Sequence, residues 1–138
     1  MTIHAFTDGA SRGNPGESGI GVILKDEKGN ALTSIFGYIG TATNNTAEYT
    51  ALLACLKLAS KMDCSHLVIH SDSELLVRQM QGTYKVKEPR LRQLVQEAHS
   101  LISTAGFPCR FVHIVREKNR QADELANAGI DSKQPVRI

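Results

Sequence analysis

LVIHSDSELLVRQMQ, residues 67–81, joins two kinds of segment with no linker between them. Leu67 to His70 is an apolar run of strand length, and SDSELLVRQMQ after it reads as a helix. A strand that passes directly into a helix belongs to a sheet crossed by helices, and in such sheets ligands collect at the carboxyl ends of the strands. Asp72 stands at that join. A plainer local reading exists: Ser71 and Glu74 fit a capping box, and an acid in a first helical turn is favoured by the helix dipole.

Toward the N-terminus, HAFTDGASRGNPG (residues 4–16) repeats the arrangement. His4 to Thr7 reads as a buried strand, and Asp8 stands where it gives way to Gly, Ser and Pro. Asp-Gly is a common turn pair, so the plainer role for Asp8 is to close a turn on its own backbone. In the middle, NTAEYTALLACLKLASK (residues 45–61) is helix-compatible almost throughout. At about 100° per residue Thr50, Lys57 and Lys61 fall on one side, and Glu48 projects opposite them in line with Leu52, Cys55 and Ala59. A carboxylate on the inward stripe must be neutral, paired or bound to a cation, because burying it bare is costly. The alternative for Glu48 is a capping box with Asn45 as N-cap. Toward the C-terminus, NRQADELANAGI (residues 119–130) reads as a helix capped by Asn119, with Asp123 on the face of Ala126 and Ile130. Here the plainer reading is again a first-turn acid made favourable by the dipole.

Each acid has a local explanation, but one cause explains all four. Four carboxylates at one point repel each other unless cations join them. Magnesium takes hard oxygen ligands, keeps several waters and is held by a few carboxylates plus substrate phosphate. Two such ions about 4 Å apart can activate a water and stabilise the leaving oxygen of an in-line displacement. Zinc has no competing site: the five His are scattered, and Cys55, Cys64 and Cys109 form no CxxC pair.

The motifs TDGASRGNPG, TNNTAEYTALLACL, IHSDSELLVRQMQG and NRQADELAN, in this order and spacing, resemble type 1 ribonuclease H over nearly the whole chain. The resemblance implies hydrolysis of the RNA strand of RNA/DNA hybrids with two Mg²⁺, Mn²⁺ being an alternative, to give 5′-phosphate and 3′-hydroxyl ends. Asp8, Glu48, Asp72 and Asp123 fall on the family's catalytic, metal-holding acids. Ser11, Asn14, Asn44 and Asn45 match positions that touch 2′-hydroxyls and minor-groove edges, the contacts that tell an RNA strand from a DNA strand. Helix capping by the Asn44–Asn45 pair and a turn at Asn14 are compatible with that role.

A basic stretch, KVKEPRLR (residues 85–92), supplies four cations against Glu88, and Arg116, Lys118 and Arg120 surround Glu117. Such charge is commonly only a solvated face. Lys85 and Lys87, flanking the hinge after the Asp72 helix, are the candidates for phosphate contact. Two departures from the family pattern stand out. The loop VREKNRQ before Asp123 has no His where many members carry an auxiliary one, and His113 lies further back in the strand-like FVHIV. The Trp-rich basic protrusion of many members is also missing; the chain runs from Gln81 to Pro89 by a short link and contains no Trp. Two other readings fit these departures: a protein that binds hybrid without cutting it, and a nuclease of the same fold acting on double-stranded RNA or DNA ends.

At 138 residues the expectation is one catalytic domain, residues 1–138. Net charge is +2, from 16 basic and 14 acidic residues, so only the distribution of charge points to nucleic acid. Three cysteines without a disulfide framework suit a reducing compartment. MTIHAFTDG shows no signal-peptide pattern and no apolar run approaches the ~20 residues of a membrane span, so a cytoplasmic protein is expected; no obligate protein partner is evident, and a monomer is expected. Strands are expected near 3–8, 19–26, 31–39, 66–70 and 109–115, and helices near 45–61, 73–81, 89–104 and 119–129. Asp26 to Asn30 suits a hairpin loop, and the long helical passages favour parallel pairing with right-handed crossovers. The fold class is α/β, ribonuclease H-like: a mixed five-stranded sheet with helices on both faces.

Overall fold

The computed structural model describes residues 1–138 and contains five strands and four α-helices. In chain order they are β1 (Thr2–Gly13), β2 (Gly16–Lys25), β3 (Ala31–Ala42), α1 (Asn44–Ser60), β4 (His66–Ser71), α2 (Glu74–Met80), α3 (Pro89–Ala105), β5 (Cys109–His113) and α4 (Arg120–Ser132). The sheet order is β3-β2-β1-β4-β5. The first three strands pair antiparallel as two hairpins; β1, β4 and β5 pair parallel, as the intervening helices require. The mixed sheet with helices on both faces is the architecture expected from the sequence.

Alternation along the strands decides which residues meet which layer. Ile3 and Ala5 of β1, Ile20, Val22 and Leu24 of β2, and Leu67 and Ile69 of β4 point to one face and are buried. They meet α1, whose Tyr49, Leu52, Leu56 and Ala59 are buried, with Leu91, Leu94 and Ala98 of α3 closing the same core. α1 is therefore wrapped nearly all round between Ala47 and Ala59, where only Thr50 and Lys57 are not buried. On the opposite face α4 lies across β1, β2 and β3, burying Ala122, Ala126 and Ile130. It comes so close that a Cβ on Gly21 would run into the backbone of Ala122 and Ala126.

The largest departure from expectation is β1. It does not end at Asp8 but runs to Gly13, paired with β2 through Asp8↔Gly21 and on to Gly13↔Gly16. The Gly- and Ser-rich stretch is a hairpin rather than a loop, because cross-strand partners override its low strand propensity. Asp8 consequently closes no turn; it sits mid-strand. α4 also runs three residues beyond the expected end, to Ser132, and the tail after it lies on β3, where Gln134 O accepts from Tyr38 N–H at 2.7 Å. The loop between β2 and β3 is fixed as expected, with Asp26 Oδ1 accepting from Lys28 and Asn30 N–H, each at 2.9 Å.

Candidate active site

The parallel ladder between β1 and β4 stops at Thr7↔Ser71. Asp8 and Asp72 are the next residues, so the two carboxylates stand side by side where one strand runs on and the other turns away. Ser71 does not cap α2. Ser73 does, its Oγ accepting from Leu76 N–H at 3.2 Å, and Ser71 Oγ accepts from Ser73 N–H. Asp72 is thus held before the helix rather than spent within it.

Glu48 reaches the same point from α1. The start of this helix packs directly on Gly9, where a Cβ would collide with the Ala47 carbonyl and Glu48 N. Gly9 N–H donates to Glu48 Oε1 at 2.5 Å. The capping box with Asn45 is not formed: Thr43 is the N-cap, accepting from Thr46 N–H at 3.2 Å, and Glu48 points inward. One oxygen each from Asp8, Glu48 and Asp72 lie within 4.8 Å of one another. Asp123, in the first turn of α4, lines the same cavity outside that tight group.

The electrostatics follow from burial. Asp8 is 6% and Glu48 9% exposed. Burial pushes the Asp8 carboxyl far above the usual carboxylate range, and the charges of Glu48 and Asp72 push it further. Burial also raises Glu48, to about 7; the Gly9 N–H, which stabilises the ionised form, pulls against that rise. A cation supplied to these oxygens would oppose both shifts, because it stabilises the ionised carboxylates. The donor set, carboxylate oxygens with no His or Cys among them, suits a hard divalent cation rather than zinc.

Around the acids lies an open cavity of about 570 Å³. Its lining includes Ser11, Asn44 and Asn45, together with Arg12, Ser73, Arg116 and Asn127, which the sequence did not single out as site residues. Ser11 Oγ donates to Ala42 O at 2.9 Å. Asn14 lies just behind, its Oδ1 accepting from Asn44 N–H at 3.0 Å, so the hairpin tip satisfies the first amide of α1. Arg12 is engaged by Asp131 at 2.7 Å and Asn127 at 3.3 Å, whereas Arg116 makes no ion pair. Lys85 and Lys87 are elsewhere. They line a separate groove with Leu75, Gln79, Tyr84 and Leu91.

A sequence profile described as reverse transcriptase-like matches residues 6–129. Among curated proteins, ribonuclease HI of Halobacterium salinarum is 38% identical over 130 residues, covering 94% of this chain and 64% of that protein. Ribonuclease HI of Neisseria meningitidis serogroup A is 30% identical, covering 94% of this chain and 95% of that protein. Among solved structures, LC11-RNase H1, isolated from compost by a metagenomic approach and crystallised with an RNA/DNA hybrid, superposes with a TM-score of 0.89 at 47% identity. That match covers 94% of this chain and 97% of the LC11 chain.

The chain belongs to the type 1 ribonuclease H family.

Within this ribonuclease H fold the loop before Asp123 places a cation, Arg116, in the cavity and no His. His113 ends β5 with its Nδ1 3.9 Å from Glu74 Oε2, outside the cavity lining. The chain spans 64% of the length of its Halobacterium relative.

Proposed function

We propose that the protein is an endoribonuclease that hydrolyses the RNA strand of RNA/DNA hybrids, using two divalent cations and leaving 5′-phosphate and 3′-hydroxyl ends. The observation that carries this reading is the convergence of Asp8, Glu48 and Asp72, two of them buried, at the floor of an open polar cavity. Such an arrangement is unfavourable for a bare protein and suited to one that binds cations. The likeness to a ribonuclease H1 crystallised on a hybrid directs it toward that substrate.

In this mechanism Asp8, Glu48, Asp72 and Asp123 hold Mg²⁺, with Mn²⁺ as a substitute. Bound there, the ions supply Lewis acidity to the phosphodiester and lower the pKa of an attacking water. The chain's own groups position the rest. The Gly9 N–H fixes one oxygen of Glu48, and the carboxylate held there also offers an acceptor to a 2′-hydroxyl. Ser11, Asn14, Asn44 and Asn45 present the hairpin and the start of α1 to the RNA strand, and read its 2′-hydroxyls and minor-groove edge. Arg116, free of carboxylate partners, offers a cation to the phosphate beside Asp123. Lys85 and Lys87 take backbone phosphates at a distance from the acids. Three free cysteines suit a reducing, cytoplasmic setting. No helix is long and apolar enough to cross a membrane.

Cleavage of a labelled RNA/DNA duplex in Mg²⁺ and in Mn²⁺, beside RNA/RNA and DNA/DNA controls, tests the reading. We expect cuts in the RNA strand of the hybrid with 3′-hydroxyl ends. Binding without cleavage would make the protein a hybrid-binding module, and equal cutting of RNA/RNA would remove the hybrid specificity.

A further inference from the structure

Asn119 ties three of the four acid-bearing segments together with one side chain. It is 1% exposed. Its Nδ2 donates to Thr7 O at 2.9 Å, the carbonyl just before Asp8, and to Asp72 Oδ2 at 3.1 Å. Its own backbone carbonyl accepts from Asp123 N–H at 3.1 Å, and its N–H donates to Arg116 O at 2.9 Å. The amide orientation is fixed by its surroundings: turned over, Oδ1 would face a carbonyl and a carboxylate with no hydrogen between them.

The other end of this amide marks its role. Asn119 Oδ1 is buried and has no hydrogen-bond partner. A buried acceptor without a donor is costly, and native proteins rarely keep one. Nor does the side chain serve as a helix cap, although the residue stands at the N-cap of α4. Capping and ordinary core packing therefore both leave the choice of Asn unexplained. What the residue supplies is a neutral double donor, held rigidly between β1 and Asp72.

We propose that Asn119 is a positioning residue for the cation site: it commits Asp72 Oδ2 to an amide and so aims the other carboxylate oxygen at the cation shared with Asp8 and Glu48. The inference rests on the divalent-cation reading of the acids. A neutral donor suits this task better than Lys or Arg, because it orients the carboxylate without cancelling the charge that attracts the ion. Partners of this kind, one step removed from a metal, are worth about 10- to 100-fold in affinity.

The test is a thermal-shift titration of the full chain with Mg²⁺, and separately with Mn²⁺, comparing wild type with Asn119→Ala and Asn119→Ser. Steady-state hybrid cleavage accompanies it. We expect the metal concentration at half-maximal stabilisation to rise about 10- to 100-fold in Asn119→Ala, with hybrid KM within about twofold of wild type and kcat reduced. Raising the metal concentration should restore much of that kcat. Should the alanine variant fail to fold, Asn119→Ser, which keeps a single short donor, is held to the same criteria. A variant that melts lower yet keeps the wild-type metal midpoint overturns the inference and leaves Asn119 a structural clamp. If wild type itself gains no stability from either ion, the failure lies with the cation reading.

Discussion

The acid cavity lies just before α2, at Asp72 and Ser73, and the Tyr84 groove runs along α2 at Leu75 and Gln79, yet they are held in opposite ways. In the cavity the carboxylates themselves are pinned, Glu48 by the Gly9 amide and Asp72 by Asn119. In the groove it is the backbone that is pinned: Gln79 Nε2 donates to Lys85 O at 3.3 Å and Arg92 Nε to Val86 O at 2.7 Å, while the Lys85 and Lys87 side chains are exposed and form no ion pair. Chemistry at a phosphodiester needs atoms placed within a fraction of an ångström, and pre-set groups provide that. Attraction of a polyanion needs only charge within reach. Under the proposed function the two regions would meet these separate demands with separate kinds of order.

Loss of charge at Asp72 should cost the most. Asp72→Asn keeps the shape and removes the charge, and cleavage should fall by more than the about 10- to 100-fold typical of groups that merely support a metal ligand. The same variant should melt higher than wild type in EDTA, because a repulsive partner of Asp8 and Glu48 is gone. A variant with full turnover would show that the pinned acids are not the reacting centre. One that melts lower without metal would show that their repulsion is not felt.

Acidity separates the two regions next. The folded protein holds protons on Asp8 and Glu48 more tightly than the unfolded chain, whose ordinary values are 3.8 and 4.5. Stability from these groups is thus fully present below about pH 4 and is lost as pH rises through the folded values, about 7 for Glu48 and higher for Asp8. In EDTA the Tm should fall between pH 5 and 8 by more than it does in Asp8→Asn. Millimolar Mg²⁺ should flatten that fall, with its benefit growing toward higher pH as protons leave the ligands. Lys85→Ala and Lys87→Ala should leave the profile as it is. A wild-type Tm indifferent to both pH and chelator would mean that the buried acids carry no excess protons.

The cavity was far more legible in the sequence than its supports. Glu48 could be assigned inward by counting helix faces, because a buried carboxylate conflicts with its apolar stripe and so announces itself. Asp72 was legible from the strand that precedes it. The caps were not: Thr43 caps α1 although Asn45 is the stronger capping type, and Ser73 caps α2 rather than the equally suited Ser71, so tertiary placement decides. The reach of β1 was hidden because Gly9 to Gly13 has poor strand propensity and is held by β2. Asn119 stands at the head of its helix as expected but its side chain does not cap it; its partner Thr7 lies 112 residues away, which no local pattern reveals. Arg116 looked like any other surface cation until the fold placed it against the acids.

The smallest expected effects belong to the groove. If Lys85 and Lys87 meet phosphate, Lys85→Ala and Lys87→Ala should each weaken hybrid binding a few-fold whatever the sequence, and each should lower the slope of log affinity against log salt by about 1. The kcat at saturating hybrid should stay within about twofold of wild type, since neither side chain lies in the cavity. Both measurements are needed, because a general loss of positive charge would weaken binding from any part of the surface. Arg137→Ala supplies that control: it removes the same charge from a different groove, beside Phe36 and Gln134. A salt slope that changes equally in all three variants would mean that Lys85 and Lys87 act only through net charge. A change confined to the two lysines would place hybrid phosphates on Tyr84 and its neighbours, and would show that loosely held cations still define a specific track.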